Sequence, residues 1–204
     1  MVRMLLMVFC LVVSRCKYFQ RVAEFNDAAM TYLLPSSKLE PAVFGDKAMT
    51  YKRLTQSAAC GCGQSKFNVD GVPIGRFKCH CTICQSLYKK PFVDVVMLWS
   101  GAIKLPEYQP FTFRKYRSPP ALRRSTCNAC GSSVVGLLSL APFVGLAFVQ
   151  CSNFSDQSVL PPPSVHIFYH SRVMNVEDNL PKVSGYWASE WAVSKLLVTG
   201  RTRQ

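Results

Sequence analysis

Seven cysteines in three tight groups constrain this chain more than any other feature: Cys60 and Cys62 in CGC, Cys79, Cys81 and Cys84 in KCHCTIC, and Cys127 and Cys130 in TCNAC. Two thiols one residue apart are badly placed to bridge each other as a disulfide. They readily take two corners of a metal tetrahedron, with each sulfur about 2.3 Å from the ion. The C-x-C and C-x-x-C pairs are therefore read as zinc half-sites. Joined, Cys60, Cys62, Cys127 and Cys130 close one structural zinc site, and the fold must bring the first hairpin of the domain to another more than sixty residues later. Gly61, Gly63 and Gly131 fit knuckle turns, which need permissive backbone beside the ligands.

The middle group has an odd number of thiols. Cys79, Cys81 and Cys84 leave the fourth position of a zinc open to an external ligand, the arrangement of a catalytic or ligand-exchanging metal, and an open site can bind a thiol. Two zinc ions per chain are expected. His80 lies inside this motif, but in an extended C-H-C segment its side chain points opposite to the flanking sulfurs, which favours support over ligation. His166 and His170, in or just after HIFYH, are expected to be satisfied core or surface histidines. Cys10, Cys16 and Cys151 have no partner spacing and are expected to be structural.

Around these motifs the chain reads as mostly β. Apolar residues make up 49% of the 204 and aromatics 12%, which describes a packed globule and argues against a disordered chain, while 13 prolines and 11 glycines imply many turns. Strands are expected at KFNV, followed by a turn at DGVP, and at FVDVVMLW, FTFRKY, SVVGLLSL, LAFVQ and HIFY. SGYWASEWAVSKLLV near the C-terminus carries a helical pattern. One domain is expected over residues 49–178, followed by a C-terminal helix and basic tail over 179–204.

Residues 1–48 read as a separate N-terminal extension of helix (17–33) and linker. The apolar run from Met4 to Val13 is too short to span a bilayer, so stable membrane insertion is not expected. It matches a signal h-region in length, yet Arg15, Lys17 and Arg21 follow it and no A-x-A-like cleavage site lies close behind. Thiolate zinc sites suit a reducing compartment, and the expected location is the cytoplasm, with organelle targeting or secretion as alternatives if residues 1–48 act as an address. A start at Met49 is a further reading.

A net charge of +13 favours an anionic partner: nucleic acid, an acidic membrane surface or a small acidic substrate. Part of that charge lies in FRKYRSPPALRR, with Arg114, Lys115, Arg117, Arg123 and Arg124, and part in the terminal RTRQ.

The order CGCG, CHCTIC, CNACGS, with its spacings and flanking glycines, resembles the glutathione-dependent formaldehyde-activating family, which also includes the centromere protein V domain. The resemblance covers roughly residues 57–175. It implies an all-β, zinc-stabilised β-tent of antiparallel sheets, here with short terminal helices. Cys60, Cys62, Cys127 and Cys130 match the family's structural ligands, and Cys79, Cys81 and Cys84 its labile, active-site ligands. Thr126 and Gly61 depart from the aromatic residue and histidine that family members often carry there, and neither removes a ligand.

The implied activity is that of a carbon–sulfur lyase resembling S-(hydroxymethyl)glutathione synthase, with glutathione as co-substrate and formaldehyde as partner, or action on a related glutathione adduct. Glutathione carries net charge −1, so basic residues between 114 and 124 are candidates to orient it. One alternative is a non-catalytic zinc scaffold that binds nucleic acid or protein, as centromere protein V suggests, with nucleic-acid affinity falling steeply as salt rises. Another is a redox or zinc-buffering protein whose thiols are themselves oxidised or yield their metal.

Overall fold

The computed structural model describes residues 51–117, 122–141 and 144–201. The extension expected over 1–48, with its helix, Cys10 and Cys16, and the last residues of the basic tail, lie outside them. Ten strands form two sheets. β1 (Leu54–Ala59), β2 (Lys66–Gly71) and β5 (Ile103–Lys104) make a three-stranded sheet. β3 (Gly75–Cys79), β4 (Val93–Trp99), β6 (Phe111–Lys115), β7 (Arg123–Cys127), β8 (Ser133–Ala141), β9 (Val144–Gln150) and β10 (His166–Ile167) make a second, in the order β10-β3-β4-β9-β8-β7-β6. Two helices complete the described chain, α1 (Thr82–Tyr88) and α2 (Tyr186–Arg201). This is an all-β fold of mainly antiparallel sheets, and its cysteine clusters are able to hold zinc.

β4 shows how the sequence builds the layers. Side chains alternate across a strand. Val96 and Leu98 enter one core with Leu54, Phe67 and Val69 of the small sheet, whereas Val93, Val95 and Met97 enter a second core with Ala192, Leu196 and Leu197 of α2. A strand covered on both faces needs an unbroken apolar run, which VDVVMLW provides. The large sheet is thus sandwiched between the small sheet and α2, whose Leu197 packs into the core while Trp187 and Trp191 stay exposed.

Two expectations are corrected here. Asp70 and Gly71 form no turn: they end β2, paired with Thr55 and Leu54. A Cβ on Gly71 would sit 2.5 Å from that of Ala102, so this glycine serves close approach. HIFY is a strand only at His166–Ile167, because Phe168 turns left-handed at φ 54° and a 3₁₀ turn follows. Among the described strands, β10 is also the one that adds in parallel, against β3, with Ile167 opposite Cys79.

Candidate metal and thiol site

The four-cysteine cluster is built from two similar knuckles, one a residue tighter than the other. In the first, Cys60 N–H donates to the Ser65 carbonyl at 3.0 Å and Gly63 N–H to the Cys60 carbonyl at 2.9 Å. In the second, Cys127 N–H donates to the Ser132 carbonyl at 2.9 Å and Gly131 N–H to the Cys127 carbonyl at 2.9 Å. Gly63 and Gly131 have φ of 76° and 68°, the left-handed region, where a side chain is strained; Gly61 does not, so its expected backbone role is absent. The Pro110 carbonyl joins the two knuckles, accepting from Ser65 Oγ at 3.1 Å and Asn128 N–H at 3.0 Å.

The Sγ atoms of Cys60, Cys62, Cys127 and Cys130 all lie within 4.8 Å of one another. Cys60 and Cys62 are 3.4 Å apart and Cys62 and Cys127 3.8 Å, against an edge of about 3.8 Å for a tetrahedron of sulfurs around zinc. Hydrogen bonds from the Ser132 side chain and backbone lower the Cys130 thiol to about 6. The Gln64 N–H favours a Cys62 thiolate, but bonds shared with Cys130 and Cys60, together with burial, push Cys62 up to about 12. Closely packed thiols cannot all ionise without a cation, which is the chemistry of a metal-ligand set.

Cys79, Cys81 and Cys84 also lie within 4.8 Å of one another, all from one short segment, and no imidazole nitrogen joins them. Cys79 ends β3, opposite Val93 of β4. Cys81 is the N-cap of α1, and its Sγ accepts from Cys84 N–H at 3.4 Å. This helix, absent from the sequence expectation, is a single short stretch that swings Cys84 back toward Cys79. Lys89 ends it in the left-handed conformation. Hydrogen bonds from Cys79 and Cys84 hold Cys81 down to about 3, aided by the Arg124 charge. Cys79 is pushed well up by its bonds to Cys81 and Cys84 and by burial. Cys84 gains thiolate character from Cys79 but is raised on balance to about 12 by Cys81 and burial. One thiolate shared among three sulfurs is again what a cation would relieve.

His80 sits wholly inside the protein and its Nε2 lies 2.8 Å from His166 Nδ1. His166, equally buried, places Nε2 2.9 Å from Asp178 Oδ2. Burial and the neighbouring His166 lower the His80 imidazole to about 4, so the ring is neutral. His170 is exposed and accepts from Gly185 N–H at 2.9 Å. Cys151 is buried and donates to Asp94 Oδ1 at 3.3 Å, apart from both clusters.

Of the five basic residues expected near the site, Arg114, Lys115 and Arg123 are exposed on β6 and β7. Arg124 acts on Cys81, Cys84 and Glu190. The Arg117 guanidinium lies 4.3 Å from the centre of the Tyr186 ring and also acts on Glu190. Glu190, on α2, was not a sequence candidate; burial raises its carboxyl, Arg117 lowers it and Cys81 raises it further. Asp178 was also missed. An open depression lined by Gln64, Lys66, Pro106, Tyr108 and Pro110 adjoins the four-cysteine knuckles and carries no thiol, imidazole or acid.

Among the described residues the eight cysteines are all free, and no helix is long and apolar enough to cross a membrane. The sequence pattern of the family described as "Glutathione-dependent formaldehyde-activating enzyme" matches residues 55–171, more than half of the chain. No curated protein matches it.

Proposed function

The chain belongs to the glutathione-dependent formaldehyde-activating enzyme family, and from that premise we propose that it is a carbon–sulfur lyase-type enzyme that joins glutathione and formaldehyde, or acts on a related glutathione adduct. The observation that carries this reading is the three-cysteine cluster: three sulfurs within 4.8 Å of one another and, among the described residues, no fourth protein ligand. Zinc held by Cys79, Cys81 and Cys84 would supply an open position where a thiol loses its proton near neutral pH. Cys60, Cys62, Cys127 and Cys130 would hold a second, structural zinc.

The remaining work falls to the chain's own side chains. Arg124 brings positive charge to Cys81, and Arg117 stacks over Tyr186. A guanidinium suits the carboxylates of glutathione, and Glu190, on which both arginine charges act, suits its ammonium group. Held there, the glutathione sulfur attacks the formaldehyde carbon. One S–C bond forms, the C=O π pair moves to oxygen, and the proton lost from the thiol returns to that oxygen to give S-(hydroxymethyl)glutathione. The positioning contributes by making the encounter effectively unimolecular. Free thiols suit a reducing compartment, which supports a cytoplasmic location.

The test is magnetisation-exchange NMR with ¹³C-formaldehyde and glutathione, which reads formation of the adduct above its spontaneous rate. The zinc-loaded chain accelerates the exchange, and Cys81→Ser does not. A wild-type rate equal to the uncatalysed one contradicts the proposal.

A further inference from the structure

Asp178 lies beyond the matched family span, yet it is the hub of a hydrogen-bond chain that ends inside the three-cysteine motif. Its carboxylate accepts from Lys78 Nζ at 2.8 Å, Lys182 Nζ at 3.0 Å and Leu180 N–H at 3.3 Å, and also faces His166 Nε2. A carboxylate cannot donate, so His166 Nε2 carries a proton. A neutral imidazole carries a single proton, and here that proton sits on the nitrogen facing the carboxylate. His166 Nδ1 is then an acceptor, and His80 Nε2 must donate to it across 2.8 Å. That leaves His80 Nδ1 as a lone pair, wholly buried and without a protein partner among the described residues.

The His80 ring is also caged. Tyr169 meets it edge-on at 5.0 Å and Phe92 lies at 5.2 Å. Its backbone N–H donates to the Ile167 carbonyl at 3.0 Å, and Gln85 Nε2 donates to its carbonyl at 2.7 Å. His80 is the residue between Cys79 and Cys81, so whatever fixes its ring and backbone fixes two of the three sulfurs.

We propose that Asp178 is a positioning residue for the three-cysteine centre, acting through His166 to hold His80 in the Nε2–H tautomer and so to set the geometry of Cys79 and Cys81. Without the carboxylate, His166 is free to carry its proton on Nδ1. The bond to His80 is then lost or reversed, and the cysteine segment loosens. The metal-retention part of this inference rests on the zinc reading given above, whereas the tautomer part does not.

The test is ¹⁵N NMR of the full chain labelled in histidine, combined with zinc release to a chromogenic chelator. In the zinc-loaded wild type, His80 and His166 each show a protonated Nε2 and a bare Nδ1. Asp178→Ala gives mixed tautomers and releases zinc from the trio about 10- to 100-fold faster, the usual scale for residues that orient a metal ligand. Release from the four-cysteine site is unchanged. Asp178→Asn, whose amide oxygen still accepts, restores the wild-type tautomer and most of the retention. A protonated Nδ1 on wild-type His80, or Asp178→Ala with wild-type tautomer and release, overturns the proposal. If Asp178→Ala does not fold, His166→Phe keeps the ring volume without the acceptor and is expected to release zinc equally fast; unchanged release there also overturns it. A chain that holds no zinc at the trio contradicts the zinc reading, while the tautomer spectrum still judges the relay.

Discussion

The two cysteine clusters differ in how they are built and in what surrounds them. The four-cysteine cluster joins two knuckles more than sixty residues apart in sequence and offers four ligand atoms of its own, with Cys62 and Cys130 exposed. The three-cysteine cluster comes from one strand end and one helical turn, is largely buried, and is backed by His80, His166 and Asp178, with the Arg124 and Glu190 charges at its side. A site that only holds the fold together needs a full set of ligands and little else. One that takes an external thiol needs an open corner and groups that recognise what fills it.

The hardest test of this contrast removes one ligand from each. Cys127→Ser breaks the link between two hairpins, and since structural zinc contributes on the order of 10 kcal/mol to folding, no folded chain is expected by circular dichroism. Cys81→Ser leaves the fold and the four-cysteine zinc in place, while adduct formation drops to the spontaneous rate. Equal damage to folding from both would erase the distinction.

Arg124→Gln tests recognition. Losing a charged partner for a carboxylate costs about 1.5–3 kcal/mol, so the KM for glutathione rises by about 10- to 100-fold with kcat nearly unchanged, read from initial rates. An unchanged KM means that Arg124 tunes only the thiols.

The Asp178 side of the trio also predicts a pH dependence. Hydrogen bonds from Lys78, His166 and Lys182 overcome burial and hold this carboxyl well below its ordinary 3.8. The folded form therefore binds fewer protons than the unfolded one. Its contribution is complete above about pH 4 and drains away as the pH falls below 3.8. Thermal melts of Asp178→Asn should show a shallower loss of stability through that range than the wild type; parallel curves would remove Asp178 from the account.

The smallest effect separates two neighbouring glycines in the four-cysteine knuckle. Gly63→Ala must hold a Cβ at positive φ and costs about 1–2 kcal/mol, whereas Gly61→Ala meets only Ser132 Oγ at 3.9 Å and changes the melting temperature little. Equal shifts would mean that the knuckle geometry is not what constrains this turn.

Both cysteine clusters were legible in the sequence because the spacings within each motif are local, and the β4 run was legible because an apolar stretch between Pro91 and Gly101 has few other uses. β7 was hidden in polar RRSTC, where only Ser125 and Cys127 are buried. α1 was hidden because it is one short helix placed by cysteines. His166 was expected to be an ordinary satisfied histidine, and its link to His80 spans 86 residues through a two-residue parallel pairing. No local pattern announces such a contact. Arg124 was one of five similar charges until the sheet placed it beside Cys81.

The most direct test of the central claim is elemental mass spectrometry of zinc in the full chain, purified without chelator, beside Cys81→Ser. Two zinc ions per chain falling to one, with the fold intact and glutathione binding lost, is the predicted result. One zinc in both proteins, with glutathione bound equally by each, would contradict the claim that the three-cysteine centre is a separate, thiol-accepting site.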